Sequence, residues 1–213
     1  ISQSGETADT IAALEEAKKL GALSVSICNV QNSTIARISD AQIYTNAGPE
    51  IGVCSTKAFT TQLMVTAVLT YELGKYLGRK LPESFIGEMI KVPSQVTSAL
   101  SRREQIQKIA KEIYQKNTFL FIGRGPQYPI ALEGALKLKE ISYLHAEGHA
   151  SGELKHGHIA LVDKDVVLIG LAPSDSYFDK SLSNIIEVKS RGGIILGIGT
   201  ENNKKLKDVC HYY

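Results

Sequence analysis

Apolar residues recur along the chain in two alternating patterns, which predict helices and short buried strands. In the helix-like pattern apolar positions lie three or four residues apart, as Ile11, Leu14 and Ala17 do before a stop at Gly21. In the strand-like pattern a short apolar run is bounded by polar or glycine residues. The predicted helices are 6–20, 33–37, 55–77, 104–117, 129–144 and 177–190, and the predicted strands are 23–29, 41–45, 118–122, 165–171 and 194–198. Alternation of strands and helices at this spacing predicts an α/β fold with parallel sheets.

The second half of the chain is a weak repeat of the first. Landmarks of the two halves correspond at one constant offset, namely Ser4 with Asp175, Gly21 with Gly192, and 23–27 with 194–198. We therefore predict two α/β subdomains, 1–80 and 104–213, joined by a helical linker, 81–103.

Each half lacks something that the other has. The unit 118–144 precedes the matched segment of the second half and has no counterpart before Ile1, whereas the helix 55–77 has no counterpart after Tyr213. The chain is therefore expected to be a fragment that begins and ends inside its domains.

Composition narrows the classes of function. The chain has 213 residues, 43% hydrophobic and 22% charged, as in ordinary globular proteins, and its net charge of +2 gives no reason to expect nucleic acid or an anionic membrane as partner. The apolar runs are too short to span a bilayer. Cys28, Cys54 and Cys210 form no CxxC motif, so we expect free thiols in the reducing cytoplasm.

The segment 2–7, SQSGET, is a candidate phosphate-binding loop. Ser2, Gln3, Ser4 and Thr7 offer hydroxyl and amide donors where a helix begins, and Gly5 allows close approach of a ligand. The alternative is simple N-capping of the helix by Ser4. We favour phosphate because the hydroxyls outnumber those that a cap needs. No Walker A or GxGxxG motif is present, so a small phosphomonoester fits better than a nucleotide.

A second hydroxyl-rich helix start follows at 54–57, CSTK. Ser55 is a candidate phosphate ligand with Lys57 as a source of charge, and the alternative is again an N-cap. The helix that begins here is apolar on all sides, which predicts that it is buried, in a subunit interface if not within the fold. Arg124 follows a predicted strand and is either a site residue or a structural ion-pair partner.

The segment 133–157 has the highest density of chemically active residues. Glu133, Lys137 and Glu140 share one face of a predicted helix, and His156 lies in the glycine-flanked motif GELKHG. A carboxylate, a lysine and a histidine in one pocket suit proton transfer next to a carbonyl. Alternatively, the Glu–Lys pairs are solvated salt bridges and His156 is structural. Between the helix and GELKHG we expect a loose turn around Gly148.

The histidines give no recognisable metal-binding motif. A loose metal site formed by His145, His149, His156 and His158 is one alternative, but their spacing matches no established ligand pattern, so we expect no metal and no cofactor.

Four segments together resemble the isomerase part of the glutamine–fructose-6-phosphate aminotransferase family, also called glucosamine-6-phosphate synthases. They are SQSGETADT (2–10), NAGPEIGVCSTKAFTTQ (46–62), GRGPQYPIALEGALKLKEISYLHAE (123–147) and GELKHG (152–157). The resemblance implies two flavodoxin-like, three-layer α/β/α sugar-isomerase (SIS) subdomains with parallel sheets. It also implies conversion of fructose 6-phosphate and ammonia to glucosamine 6-phosphate in amino-sugar synthesis, without a cofactor.

The resemblance also implies roles for individual residues. Glu140 would move a proton between C1 and C2, Lys137 would support the developing negative charge, and His156 would open the sugar ring from the neighbouring subunit of a homodimer. The phosphate and sugar ligands would be Ser2, Gln3, Ser4, Thr7, Val53 and Ser55.

Some parts of the family pattern are absent from this sequence. These are an upstream phosphate-contacting serine, the tail lysine that forms an imine with the sugar, and the glutaminase domain with its nucleophilic cysteine. The fragment alone is therefore not expected to use glutamine. Two alternatives stay open: a sugar-phosphate sensor without catalysis, and a phosphosugar isomerase or deglycase that does not use glutamine.

Overall fold

A computed structural model describes all 213 residues and divides them into two compact units, 1–98 and 99–213. Both units are α/β with parallel strands, as predicted. The first unit comprises α1 (Ala8–Lys19), β1 (Val25–Cys28), α2 (Thr34–Ile38), β2 (Ala41–Tyr44), α3 (Lys57–Tyr76) and α4 (Phe85–Leu100), the last turn of which crosses the boundary.

The second unit is built on a four-stranded parallel sheet with strand order β4-β3-β5-β6. Its elements are α5 (Arg103–Ile113), β3 (Thr118–Gly123), α6 (Gln127–Ser142), β4 (His145–Ala150), two 3-10 helices (Ser151–Lys155 and His158–Leu161), β5 (Val166–Ala172), α7 (Phe178–Ser190), β6 (Ile194–Gly199) and α8 (Lys204–Val209).

Side chains that alternate along the strands fill a core on each face of this sheet. Leu120 of β3 belongs to one core together with Ile185 of α7, whereas Phe119 belongs to the other together with Ala131 of α6. The central strand β5 is buried along its whole length, as expected for a parallel strand covered on both faces. The second unit is therefore a three-layer α/β/α structure.

The pairing of strands confirms the internal repeat. Val25 pairs in parallel with Ala41 in the first unit, and Leu196 pairs in parallel with Tyr212 at the corresponding positions of the second. At the start of the chain the backbone of Ser2 pairs with Cys28, so the segment 2–7 follows directly from the sheet.

Strand β4 corrects the sequence analysis, which predicted a loose turn around Gly148. The strand has no β-branched residue, and packing explains why it forms. A Cβ at Gly148 would lie 2.7 Å from the Cα of Leu132 in α6, so glycine allows the helix and the strand to approach closely.

Helix α3 is not buried within this chain, although its apolar sequence predicts burial. Only Ala58 is buried, and Leu63, Val68 and Leu73 are 46%, 44% and 52% exposed. The helix makes a ring stack with α4, between Tyr71 and Phe85 at 4.7 Å, but one of its apolar faces has no cover within the first unit. Its place in a subunit interface stays a prediction.

Helix α4 occupies most of the linker 81–103, which was predicted to be helical. The limits of the two subdomains stay a prediction. No helix in the structure is both long enough and apolar enough to cross a membrane.

Candidate active site

The segment 2–7 forms a tight loop between the sheet and α1. The buried Ser2 hydroxyl accepts a hydrogen bond from the Gly5 amide at 2.9 Å, and the Ser4 hydroxyl accepts one from the Glu6 amide at 3.2 Å. Thr7 is the N-cap residue of α1, but its side chain makes no capping hydrogen bond. The N-capping alternative for Ser4 therefore does not describe this loop, and the first-turn amides of α1 have no intrahelical acceptor.

Gly5 is the residue that gives this loop its shape. Its φ of +68° lies in the left-handed region, and a Cβ there would lie 2.0 Å from Ser33 Oγ. The carbonyl of Gly5 accepts a hydrogen bond from the Ile35 amide, and the Glu6 carboxylate accepts one from the Thr34 amide at 2.7 Å. These bonds to the first turn of α2 hold the loop in place, and the bond from the Thr34 amide is the main reason that the pKa of Glu6 lies below its usual value.

Asn29, which the sequence analysis did not single out, connects this loop to the segment before α3. Its backbone N–H donates to the carbonyl of Gln3 at 3.2 Å, and its side-chain amide donates to the carbonyl of Gly48 at 2.8 Å. Its side-chain oxygen accepts from Thr45 and Ala47. Since Asn29 directly follows β1, these segments lie at the carboxyl edge of the strands, where open α/β sheets bind ligands.

The start of α3 is occupied by a carboxylate from the chain itself. Glu50 accepts hydrogen bonds from the Thr56 amide at 2.6 Å, the Thr56 hydroxyl at 2.8 Å and the Ser55 hydroxyl at 3.4 Å. The backbone bond from Thr56 is the main reason that the pKa of Glu50 lies below its usual value. A phosphate at Ser55 has to displace this carboxylate. Val53 is 95% exposed.

In the second unit, α6 brings Glu133, Lys137 and Glu140 together. Lys137 Nζ lies 2.7 Å from Glu140 Oε2 and 3.2 Å from Glu133 Oε1. The three side chains are only 23% to 31% exposed, unlike ordinary solvated helix pairs. Gly134 disfavours a helix, but packing explains its place in α6. A Cβ at this position would be 2.9 Å from the Phe121 ring of β3, so a larger residue would keep the helix away from the sheet. The helix thus packs closely on the sheet and holds the ion pair in one geometry.

His156 lies on a separate element, at the end of the first 3-10 helix. Its amide donates to the carbonyl of Glu153 at 2.9 Å, and its residue is exposed. Leu154, two residues earlier, is fully buried and anchors the turn in the core. The turn is therefore fixed while the imidazole faces outward.

Arg124 has a structural contact that its position did not reveal. Its guanidinium donates to the side-chain oxygen of the buried Asn184 at 3.1 Å, and its Nε is buried without a hydrogen-bond partner. This contact is a hydrogen bond to an amide, so it is not the ion pair with a carboxylate that the sequence offered as an alternative.

The cysteines have no features of a nucleophile. None of the three forms a disulfide; Cys28 and Cys54 are buried, and burial raises the pKa of the Cys210 thiol to about 11. The thiolate of Cys210 is therefore scarce at neutral pH.

The chain is similar to known proteins over most of its length. The SIS domain model matches residues 1–71 and 112–212. The chain is 49% identical over 201 residues to the glutamine–fructose-6-phosphate aminotransferase [isomerizing] of Pyrococcus horikoshii, and 52% identical over 199 residues to that of Bradyrhizobium diazoefficiens. These matches cover 94% and 92% of the chain but only 33% of each relative, so the chain spans about a third of their length.

A solved structure shows the same similarity. The C-terminal domain of glucosamine-fructose-6-phosphate aminotransferase from Francisella tularensis aligns with a TM-score of 0.91 and 45% identity. The alignment covers 95% of this chain and 58% of that one.

Proposed function

The chain belongs to the SIS domain family, and from this premise we propose that it is the isomerase part of a glutamine–fructose-6-phosphate aminotransferase. In this proposal the protein binds fructose 6-phosphate and converts it, with ammonia, to glucosamine 6-phosphate. The observation on which the proposal chiefly depends is the close, half-buried Lys137–Glu140 pair, because a domain that only binds a sugar phosphate has no use for it.

The loop 2–7 is proposed to bind the phosphate. The loop that precedes α1 contains Ser2, Gln3, Ser4 and Thr7, and the positive end of the helix dipole favours a dianion there. Ser2 also braces the loop through Gly5, so it has a structural as well as a binding role. Ser55 and Val53 are proposed to bind the sugar phosphate after the Glu50 carboxylate moves away from the start of α3.

Glu140 is proposed as the base. In the isomerisation a proton leaves C1 and a proton is delivered to C2, so one carboxylate that accepts and returns it completes the transfer without net change to the enzyme. Lys137 lies within ion-pair distance of that carboxylate, holds it in place and stabilises the negative charge that develops on the substrate.

His156 is proposed to open the sugar ring in the site of a neighbouring subunit. Its outward position on a fixed turn is what a group that acts in another copy requires. The protein is accordingly proposed to be a cytoplasmic homodimer with a shared active site. In the full-length protein a glutaminase domain is proposed to supply the ammonia.

Product analysis tests the proposal. The protein expressed from its complete gene is incubated with fructose 6-phosphate and glutamine, and separately with ammonium. Glucosamine 6-phosphate from glutamine is the expected product. Glucose 6-phosphate alone would instead indicate a simple isomerase, and tight binding without turnover would indicate a sensor.

The phosphate assignment predicts the effect of Ser4→Ala. Loss of one hydrogen bond to a charged phosphate is expected to cost about 1–2 kcal/mol, or roughly 5- to 30-fold in the Kd of fructose 6-phosphate. Isothermal titration with fructose 6-phosphate and with fructose compares the two ligands. Equal weakening of both would show that Ser4 is not on the phosphate.

A further inference from the structure

A cluster of metal-ligating side chains lies outside the site described above. The donor atoms of Glu147, His149 and His158 all lie within 4.8 Å of one another. Glu147 Oε2 is 3.1 Å from His149 Nε2, and the rings of His149 and His158 stack with centroids 3.8 Å apart. The proposed reaction uses none of these three residues.

The fold explains why these residues meet although their spacing in sequence is irregular. Glu147 and His149 are two apart on β4, so both side chains emerge on the same face of the strand. Strand β4 is at the edge of the sheet, and the chain then returns through two 3-10 helices, the second of which begins with His158. Gly157, with a φ of +130°, makes the turn that places His158 over the strand.

From this geometry we infer that Glu147, His149 and His158 form a binding site for a divalent transition metal, Zn²⁺ above all. Two imidazoles and one carboxylate are a donor set that suits zinc, with a water molecule in the fourth position. Ligands about 2.0–2.2 Å from a tetrahedral ion lie about 3.4 Å apart. The Glu147–His149 distance of 3.1 Å is close to this value. To complete the set, the His158 ring has to turn out of its stack with His149 and bring its nitrogen closer by up to about 1.4 Å.

The surroundings favour a site over a chance contact. The His149 side chain is only 12% exposed, which limits its motion, while Glu147 is 41% exposed and leaves a route for an ion and a water ligand. The bound ion would connect β4 to the turn that contains His156, two residues before His158. It would therefore act as a structural clip that stabilises this turn.

Metal titration of the chain, free of any polyhistidine tag, tests the inference. Zn²⁺ is titrated in competition with a chromophoric chelator at neutral pH, and we expect one ion per chain with a micromolar or lower Kd. His149→Gln and His158→Gln are each expected to weaken binding by at least about tenfold, because loss of even a hydrogen-bond partner of a metal ligand has an effect of this size. His156→Gln removes an imidazole from the same turn but no ligand, so its Kd should stay within about twofold.

Two further measurements keep the test decisive if a variant folds poorly. Glu147→Gln preserves the side-chain shape and should also weaken binding, and Co²⁺ added to the unmodified chain should give the intense visible absorption of four- or five-coordinate cobalt. Weak pink octahedral absorption, Zn²⁺ binding that needs millimolar metal, or equal loss in His156→Gln and His158→Gln would overturn the inference. Binding is scored without turnover, so the outcome does not depend on the proposed reaction.

Discussion

Glu140→Gln is expected to lower the isomerisation rate by about 100- to 10,000-fold, the contribution typical of a positioned general base. Glutamine has the size and shape of glutamate and still accepts a hydrogen bond from Lys137, which lies 2.7 Å from the present carboxylate. It does not accept a proton from C1 at neutral pH. The kcat is measured by product formation from fructose 6-phosphate, and the Kd of the sugar phosphate is expected to stay within a few fold.

Glu133→Gln is the matched control for this change. Glu133 is on the same helix, is 23% exposed against 31% for Glu140, and contacts the same lysine at 3.2 Å. Glu133→Gln removes one negative charge beside Lys137 but no base, so kcat should fall far less than in Glu140→Gln. A comparable fall in both variants would mean that only the charge around Lys137 matters, and loss of sugar-phosphate binding in Glu140→Gln would assign that residue to binding instead.

The sequence predicted the strands that have strongly apolar sequences. Strands β3 and β5 correspond to the runs TFLFI and VVLIGL. A continuous apolar run of this length is typical of a parallel strand that is covered on both faces of the sheet. Strand β4, HAEGHA, has no such signal, since it forms by pairing with β3 and by the close approach of α6 at Gly148. Tertiary contacts therefore decided the one strand of the second unit that local sequence did not indicate.

The same distinction applies to the candidate site. The spacing of Lys137 and Glu140 on a helix was enough to predict that they meet, because helix geometry alone brings positions three apart together. The contact of Glu50 with the start of α3, and the bridge that Asn29 makes between two loops, depend on how loops fold back and have no periodic pattern. His149 and His158 are likewise joined by the return of the chain over β4.

Gly5→Ala is the change expected to damage the first unit most. The alanine is held at a φ of +68°, and its Cβ would lie 2.0 Å from Ser33 Oγ and 2.5 Å from Ser33 Cβ. Left-handed strain and overpacking together are expected to lower the free energy of unfolding by about 2–5 kcal/mol. Fructose 6-phosphate affinity should fall at least about tenfold, because the loop amides and hydroxyls move together. Urea denaturation and titration calorimetry measure the two effects.

Two companion variants separate the strain from the clash. Gly21 also has a positive φ, +84°, but a Cβ there would have no atom within 4 Å. Gly21→Ala should therefore lower the free energy of unfolding only by the backbone strain, about 1–2 kcal/mol. Ser33→Gly removes both atoms that the new Cβ would contact. Because Ser33 Oγ is buried without a hydrogen-bond partner, Ser33→Gly by itself should lower the free energy of unfolding only slightly. The double variant Gly5→Ala, Ser33→Gly should therefore regain about 1–3 kcal/mol and most of the ligand affinity. If the double variant is no more stable than Gly5→Ala, close packing against α2 does not fix this loop, and its shape must come from the Ser2 and Glu6 hydrogen bonds alone.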